Sequence, residues 1–310
     1  MKLHLRYRRA ATIGALLILF GVLAAGASSN TGGVCLLLTA DAEGSLGPCE
    51  SCSPAAGLGD IARRATLVGT LRRDRPGLLL VDAGNALIGP DSIASGGRVI
   101  VAAYGELGYD AVNLSYRDFR LGKAATVGLV RTAHFPVISA NLQDDASGRL
   151  IAAPFVVRRA GAVRVAFIGV TELPAGVAAL EHIREQLGGV RVRAPAEALA
   201  QWLPKARSDS DRVVLLYYGS ANGLDAISRA FGSQVAAILV GGLRPSDLPE
   251  RTTPPLAASA ARGTEVTRID LPLGGPVRVT RLPIDDRYPP DPRVLDVLRT
   301  FAIQGSGTLR

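Results

Sequence analysis

Four short apolar runs, each ended by oxygen-bearing side chains, set the strongest limit on what this chain can fold into. They are Val34–Ala40, Gly77–Asp82, Asp110–Leu114 and Pro136–Asn141. Each is too short for a helix and too continuously apolar for a strand with one wet face. Such runs suit strands covered on both sides, as in a parallel sheet. Between them, Leu58–Arg73, Val99–Leu107 and Ala124–Thr132 space their apolar residues as helices do. In the first of these, Ile61, Ala65, Val68 and Leu71 share a face and the arginines take the other. Strands alternating with helices predict an α/β fold around a largely parallel sheet.

The second half has a different grammar. Residues 154–158 and 163–170 read as a hairpin turning at Gly161. Pro195–Arg207 and Leu224–Phe231 read as helices, and Arg212–Tyr218 and Val235–Val240 as buried strands. Residues 265–271 and 277–284 alternate in polarity, and 291–301 forms a last helix. Two sheets are needed, one in each half, with helices outside. Hydrophobic content of 48% and charge of 20% fit an ordinary globular chain. With no short repeat and no long linker, residues 28–310 are expected to form a single domain.

Residues 1–27 stand apart. Lys2, Arg6, Arg8 and Arg9 precede an uncharged run from Ala10 to Ala25, and Ala25-Gly26-Ala27 is a small-residue cleavage pattern. This is the layout of a secretory signal peptide. The run is also about long enough to be an uncleaved membrane anchor. The domain is expected to be exported, periplasmic or otherwise extracytoplasmic, and to meet a membrane only if this segment stays attached. Removing the four basic residues of 1–27 changes a net charge of +8 to 31 basic against 27 acidic residues, or +4. The arginines are dispersed and no basic run interleaves with aromatics, so no nucleic-acid partner is expected.

Export permits disulfides. Cys49-Glu50-Ser51-Cys52 is a C-x-x-C pair in a Pro/Ser/Gly-rich loop, read as a local Cys49–Cys52 disulfide, with a redox or metal-handling role as the alternative. Cys35 sits in an apolar strand and reads as a small core residue.

The polar residues gather where open α/β sheets place their chemistry, at the carboxyl ends of strands. They are Thr39, Asp41 and Glu43; Asp82 and Asn85; Asn113, Tyr116, Arg117 and Asp118; Ser139 and Asn141. A rim of oxygens can hold a hard cation. Asp and Asn also end strands simply by bonding local backbone. The segments 38–49, 57–67, 80–85, 107–113, 135–141 and 165–171, in this order and spacing, resemble one family. It is the metallophosphatase (calcineurin-like phosphoesterase) domain of the bacterial 5'-nucleotidases and 2',3'-cyclic phosphodiesterases. The likeness runs from about residue 35 to residue 300. It implies a four-layer α/β/β/α sandwich with two mixed sheets and a site for two divalent metal ions. The C-x-x-C loop resembles an exported branch of the family. A C-terminal nucleotide-binding domain like that of the larger enzymes is not expected after residue 300.

Against that pattern the chain departs at nearly every ligand. The family's Asp-x-His is Asp41-Ala42-Glu43, and its bridging Asp is Asn85. Its Gly-Asn-His-Glu is Ser115-Tyr116-Arg117-Asp118, its later lone His falls near Tyr218, and its Gly-His-x-His falls on Gly241-Gly242-Leu243-Arg244. Asp41, Glu43 and Asn85 are therefore vestigial candidates for metal ligands. Asp118 and Arg117 stand at the degenerate catalytic motif, and no residue is assigned as catalytic. Tyr116, Arg117, Tyr218 and Arg244 are expected to line the pocket. A site for two transition ions needs several neutral imidazoles besides carboxylates, and the chain has only His4, His134 and His182. A permanent cation at Arg117 opposes metal binding and suits phosphate. The expected function is that of an exported, 5'-nucleotidase-like pseudoenzyme without a cofactor. It would act as an anion-binding or scaffold/accessory subunit, with a small anion or phosphate and a protein in an exported assembly as partners. An active metal-dependent phosphoesterase, a hydrolase with two divalent ions on rebuilt oxygen ligands, is the first alternative. A C-x-x-C redox or metal-handling protein is the second.

Overall fold

A computed structural model describes residues 33–48, 58–250 and 252–306. The expected signal at 1–27 and the Cys49–Cys52 pair lie outside the described residues. The first half runs β1 (Val34–Thr39), α1 (Ile61–Asp74), β2 (Leu79–Asp82), α2 (Arg98–Leu107), β3 (Ala111–Asn113), α3 (Gly122–Thr132), β4 (Val137–Ile138) and β5 (Leu142–Asp144). The middle adds β6 (Phe155–Ala160), β7 (Val163–Thr171), α4 (Ala175–Ala178), α5 (Glu181–Gln186) and β8 (Val190–Val192). Then come α6 (Pro195–Ser208), β9 (Arg212–Tyr218), α7 (Ala221–Phe231), β10 (Ala237–Gly241), β11 (Leu256–Ala258), β12 (Glu265–Leu271), β13 (Arg278–Pro283) and α8 (Pro292–Ser306).

Two mixed sheets form the middle of the molecule. The first has the order β13-β12-β1-β2-β3-β4, the second β11-β10-β9-β7-β6. β1 to β4 are parallel neighbours and β12 joins β1 antiparallel, Leu36 opposite Ile269. In the second sheet β7, β9, β10 and β11 are parallel and β6 is antiparallel to β7. β5 and β8 form a small ladder of their own.

β1 shows why the layers stack. All six of its residues are buried, but their side chains divide by parity, as in any strand. Val34, Leu36 and Leu38 meet Phe167, Val214, Leu216 and Leu239 of the other sheet. Cys35 and Leu37 meet Ile61, Ala65 and Val68 of α1 and Ala103 of α2. On the far side, Ile168, Leu215 and Val240 pack on Leu199, Leu203 and Ile227 of α6 and α7. Each buried Leu, Ile or Phe contributes about 1.5–3 kcal/mol. The result is the expected α/β/β/α sandwich.

The structure corrects three details. The sheets are not one per half, because β12 and β13 return from the tail to pair beside β1. Arg64, expected on the outer face of α1, is 1% exposed, and its Nη1 donates to the Tyr109 hydroxyl at 3.2 Å. α1 begins at Ile61 and not at Leu58, because Asp60 caps it by accepting from the amides of Ala62 and Arg63. Cys35 is a free, buried cysteine, and burial followed by the Asp270 carboxylate pushes its thiol up to about 11. The thiol is protonated at neutral pH, which suits packing and not redox chemistry.

Candidate functional site

The carboxyl ends of β1 and β2 meet those of β9 and β10 across the seam between the sheets. Here the chain turns unusually tightly. Asp41, Glu43, Asn85 and Arg262 all hold positive φ, at 50°, 51°, 59° and 57°. Asp and Asn tolerate this region best, and backbone of this kind is over-represented at functional sites. The turns are pinned by backbone bonds: the Asp41 amide donates to Gly84 O, the Glu43 amide to Asn85 O, and the Arg262 amide to Asp41 O.

Asp41 is the centre of the cluster. Its Oδ1 accepts from Asn85 Nδ2 at 2.9 Å and from the Tyr218 hydroxyl at 3.0 Å. Its Oδ2 accepts from the Gly242 amide at 2.7 Å. Asn85 and Tyr218 are each 2% exposed. Burial, then the Asp41 charge, pushes the Tyr218 phenol far above its ordinary range, so it remains a donor. The Tyr218 ring fits because its neighbours are glycines: a Cβ on Gly84 would lie 3.1 Å, and one on Gly241 2.8 Å, from ring Cδ2. Tyr116 packs against it edge-on, ring centroids 5.7 Å apart. Turning the Asn85 amide over would set oxygen against oxygen, so its nitrogen faces Asp41. Asn85 Oδ1 is then buried without a partner among the described groups.

The other candidates divide. Glu43 faces Arg262, whose Nη1 lies 3.8 Å from Glu43 Oε2. Arg117 is exposed beside Tyr116, its guanidinium carbon 5.6 Å from the ring centroid. Burial opposes its charge, but Tyr218, Tyr116 and Asp41 outweigh that and raise its pKa above the ordinary value. Arg244, expected in the pocket, turns away from it. Its side chain is 82% exposed and forks onto Asp247, with Nη2 3.0 Å from Oδ1 and Nε 3.2 Å from Oδ2.

Asp118 is not at the mouth either. It is 1% exposed and accepts from the amides of Asn85, Ala86, Leu87 and Ser115 and from the Ser115 hydroxyl, at 2.7–3.2 Å. It holds the 85–87 turn against a 3-10 helix at Tyr116–Phe119. Asn113 and Asn141 also leave the rim and tie the layers: Asn113 Nδ2 donates to Ala83 O and Val170 O, and Asn141 Nδ2 to Thr171 O and Arg193 O. For these three residues the backbone-bonding reading holds.

Two contributors were missed from sequence. Arg262 lies in an Ala-Ala-Arg-Gly turn with no pattern to mark it. Glu172 follows β7 and accepts from the Tyr217 hydroxyl at 2.6 Å and from the Ser220 amide and hydroxyl at 2.7 and 2.8 Å. It fixes the end of β9 and the turn that follows Tyr218, and a carboxylate directly after a buried strand was its only signal.

The residues present do not fit a pair of transition ions. Both Asp41 oxygens accept from neutral donors, which take three of the carboxylate's roughly four lone-pair directions. Glu43 is turned to a guanidinium, and the expected bridge is a neutral amide. His134 and His182 are exposed, on the α3–β4 turn and on α5. Among the described residues, no group of three or more His, Cys, Asp or Glu is placed to hold a metal.

No family model matches the chain. It is 34% identical over 121 residues to a snake venom 5'-nucleotidase of Gloydius brevicauda, covering 36% of this chain and 20% of that protein. The chain thus spans about a fifth of that relative's length. Its fold is similar to that of the sulfate thiohydrolase SoxB of Thermus thermophilus, with a TM-score of 0.74 at 19% identity, covering 87% of this chain and 60% of SoxB. It is also similar to the calcineurin-like phosphoesterase YfkN of Bacillus subtilis, with a TM-score of 0.69 at 20% identity, covering 88% of this chain and 97% of the other.

Proposed function

Starting from its kinship with the 5'-nucleotidases and calcineurin-like phosphoesterases, whose fold it has, we propose that this chain is an exported, catalytically silent member of that group. It serves as an anion-binding or accessory subunit and not as a hydrolase. One observation carries this reading: the Asp41 carboxylate is already satisfied by Asn85, Tyr218 and Gly242. A hydrolase of this fold needs that carboxylate on a metal, to activate water and to polarise the phosphoryl group. The layout of residues 1–27 supports export. Among the described residues, no helix is long and apolar enough to cross a membrane.

Arg117 supports the anion-binding part. It is exposed at the mouth, stacked near Tyr116, and has no ion-pair partner among the described residues. A guanidinium so placed can take a phosphate oxygen pair. Arg244 is removed from this role by Asp247, so the anion contact is with a single arginine and is weak and salt-sensitive.

The test is turnover and phosphate binding on the same preparation. With Mn2+ present, hydrolysis of bis-p-nitrophenyl phosphate and of AMP is expected to stay at the level of an Asp41→Asn variant. Titration with inorganic phosphate is expected to show weak binding that Arg117→Ala removes. Mn2+-dependent turnover that disappears in Asp41→Asn contradicts the proposal.

A further inference from the structure

The three donors on Asp41 come from three separate segments. Asp41 follows β1 and Asn85 follows β2, both in the first sheet. Tyr218 ends β9 and Gly242 follows β10, both in the second. A single carboxylate therefore joins the two sheets at the mouth. We propose that the Asp41–Asn85–Tyr218–Gly242 cluster is a hydrogen-bonded clasp that takes the mechanical and electrostatic place of a cation between the sheets. This rests on the reading of the site as metal-free and adds a structural role for Tyr218 and Asn85.

The chemistry of the parts supports the clasp. A divalent ion at such a seam would draw several ligands together and neutralise their charge. Here one negative charge is shared among an amide, a phenol and a backbone N–H, with the Arg117 charge nearby. Bonds from neutral donors to a charged acceptor are stronger than neutral pairs. Tyr218 is held because its ring is wedged between Gly84 and Gly241, and the turn that follows it is fixed by Glu172 through Ser220. The phenol therefore reaches Asp41 without ordering a flexible side chain, so little entropy is lost on closing the clasp.

Asn85→Asp tests this without removing any atom of the frame. It would set a second carboxylate within about 3 Å of Asp41, the reach of a hydrogen bond. Two such carboxylates cannot both ionise unless a proton or a cation lies between them. Thermal unfolding is to be followed for the wild type, Tyr218→Phe and Asn85→Asp, with EDTA or Mn2+, at pH 5 and pH 8. The wild type is expected to melt at the same temperature with EDTA and with Mn2+. Tyr218→Phe is expected to lose about 3–5 °C, a shift typical of one lost buried bond in a chain of this size, with no response to Mn2+. Asn85→Asp is expected to lose more at pH 8 and to recover part of the loss at pH 5 or with Mn2+. A wild type stabilised by Mn2+ overturns both the clasp and the metal-free reading. An inert wild type with an Asn85→Asp deficit indifferent to pH and to Mn2+ overturns the clasp alone. If Asn85→Asp fails to fold, Tyr218→Phe decides: an unchanged melting temperature overturns the clasp.

Discussion

Replacing Asp118 with alanine is expected to destabilise the fold by about 4 kcal/mol or more, a large share of the roughly 5–15 kcal/mol that holds a typical domain together. The carboxylate is 1% exposed and accepts from four backbone amides and one hydroxyl. Each donor left unsatisfied inside the protein costs about 1–3 kcal/mol, with partial relief as the loop relaxes. Asp118→Asn keeps one carbonyl oxygen of the two acceptors and should lose about 2 kcal/mol. Urea unfolding of both variants measures this. A loss below 1 kcal/mol in Asp118→Ala would show that the 85–87 turn does not depend on this residue. The same contacts explain why Asp118 is no candidate acid or base: its lone pairs are taken by four backbone amides and the Ser115 hydroxyl.

Stability is expected to fall as pH rises from 5 to 8, and Asp82→Asn should remove a large part of that fall. Asp82 is fully buried, accepting from the Thr39 hydroxyl at 2.6 Å, the Tyr104 hydroxyl at 3.2 Å and the Gly84 amide at 2.8 Å. Arg64 reaches it only through Tyr109 and Thr39. Burial outweighs these donors and raises its pKa from 3.8 to about 7. Below 3.8 the group is protonated in both states and favours neither. Between 3.8 and 7 the folded state holds a proton that the unfolded state has released, so raising the pH favours unfolding. Above 7 the penalty is complete, with an upper limit of about 4 kcal/mol. Asp118 and Asp110 are also raised, mainly by burial. They remain in the variant, so the difference between wild type and Asp82→Asn isolates Asp82. Equal pH slopes for the two proteins would contradict this assignment.

Much of the fold was legible because burial leaves a strong mark on sequence. The runs at 34–40, 77–82 and 212–218 are nearly continuous in apolar residues, and only strands covered on both faces call for that. The pairing of β12 beside β1 was not legible, since alternation at 265–271 shows a strand with two unlike faces but not its neighbour. Arg64 looked like any outward arginine of an amphipathic helix. It is buried because Tyr109 and the Asp82 network receive it, and those partners are far away in sequence. The site was legible as a pattern of substitutions at Glu43, Asn85, Tyr116, Arg117 and Tyr218. Where each side chain points was not. Arg244 and Asp118 sit at positions that suggest a pocket, yet local geometry decides otherwise: a fork onto Asp247 three residues away in one case, a ring of backbone amides in the other. The structure brings Asp41, Asn85 and Tyr218 together, but the donors from Tyr218 and Gly242 to Asp41 became visible only in three dimensions.

The most direct measurement is elemental analysis of the protein, purified without chelator, for manganese, zinc and iron per chain. Less than about one tenth of an equivalent is the expected result, since the Asp41 oxygens already accept from Asn85, Tyr218 and Gly242 and, among the described residues, no imidazole stands at the site. One or two equivalents, bound through Asp41 and lost in Asp41→Asn, would contradict the metal-free reading and restore a metal-dependent phosphoesterase as the function.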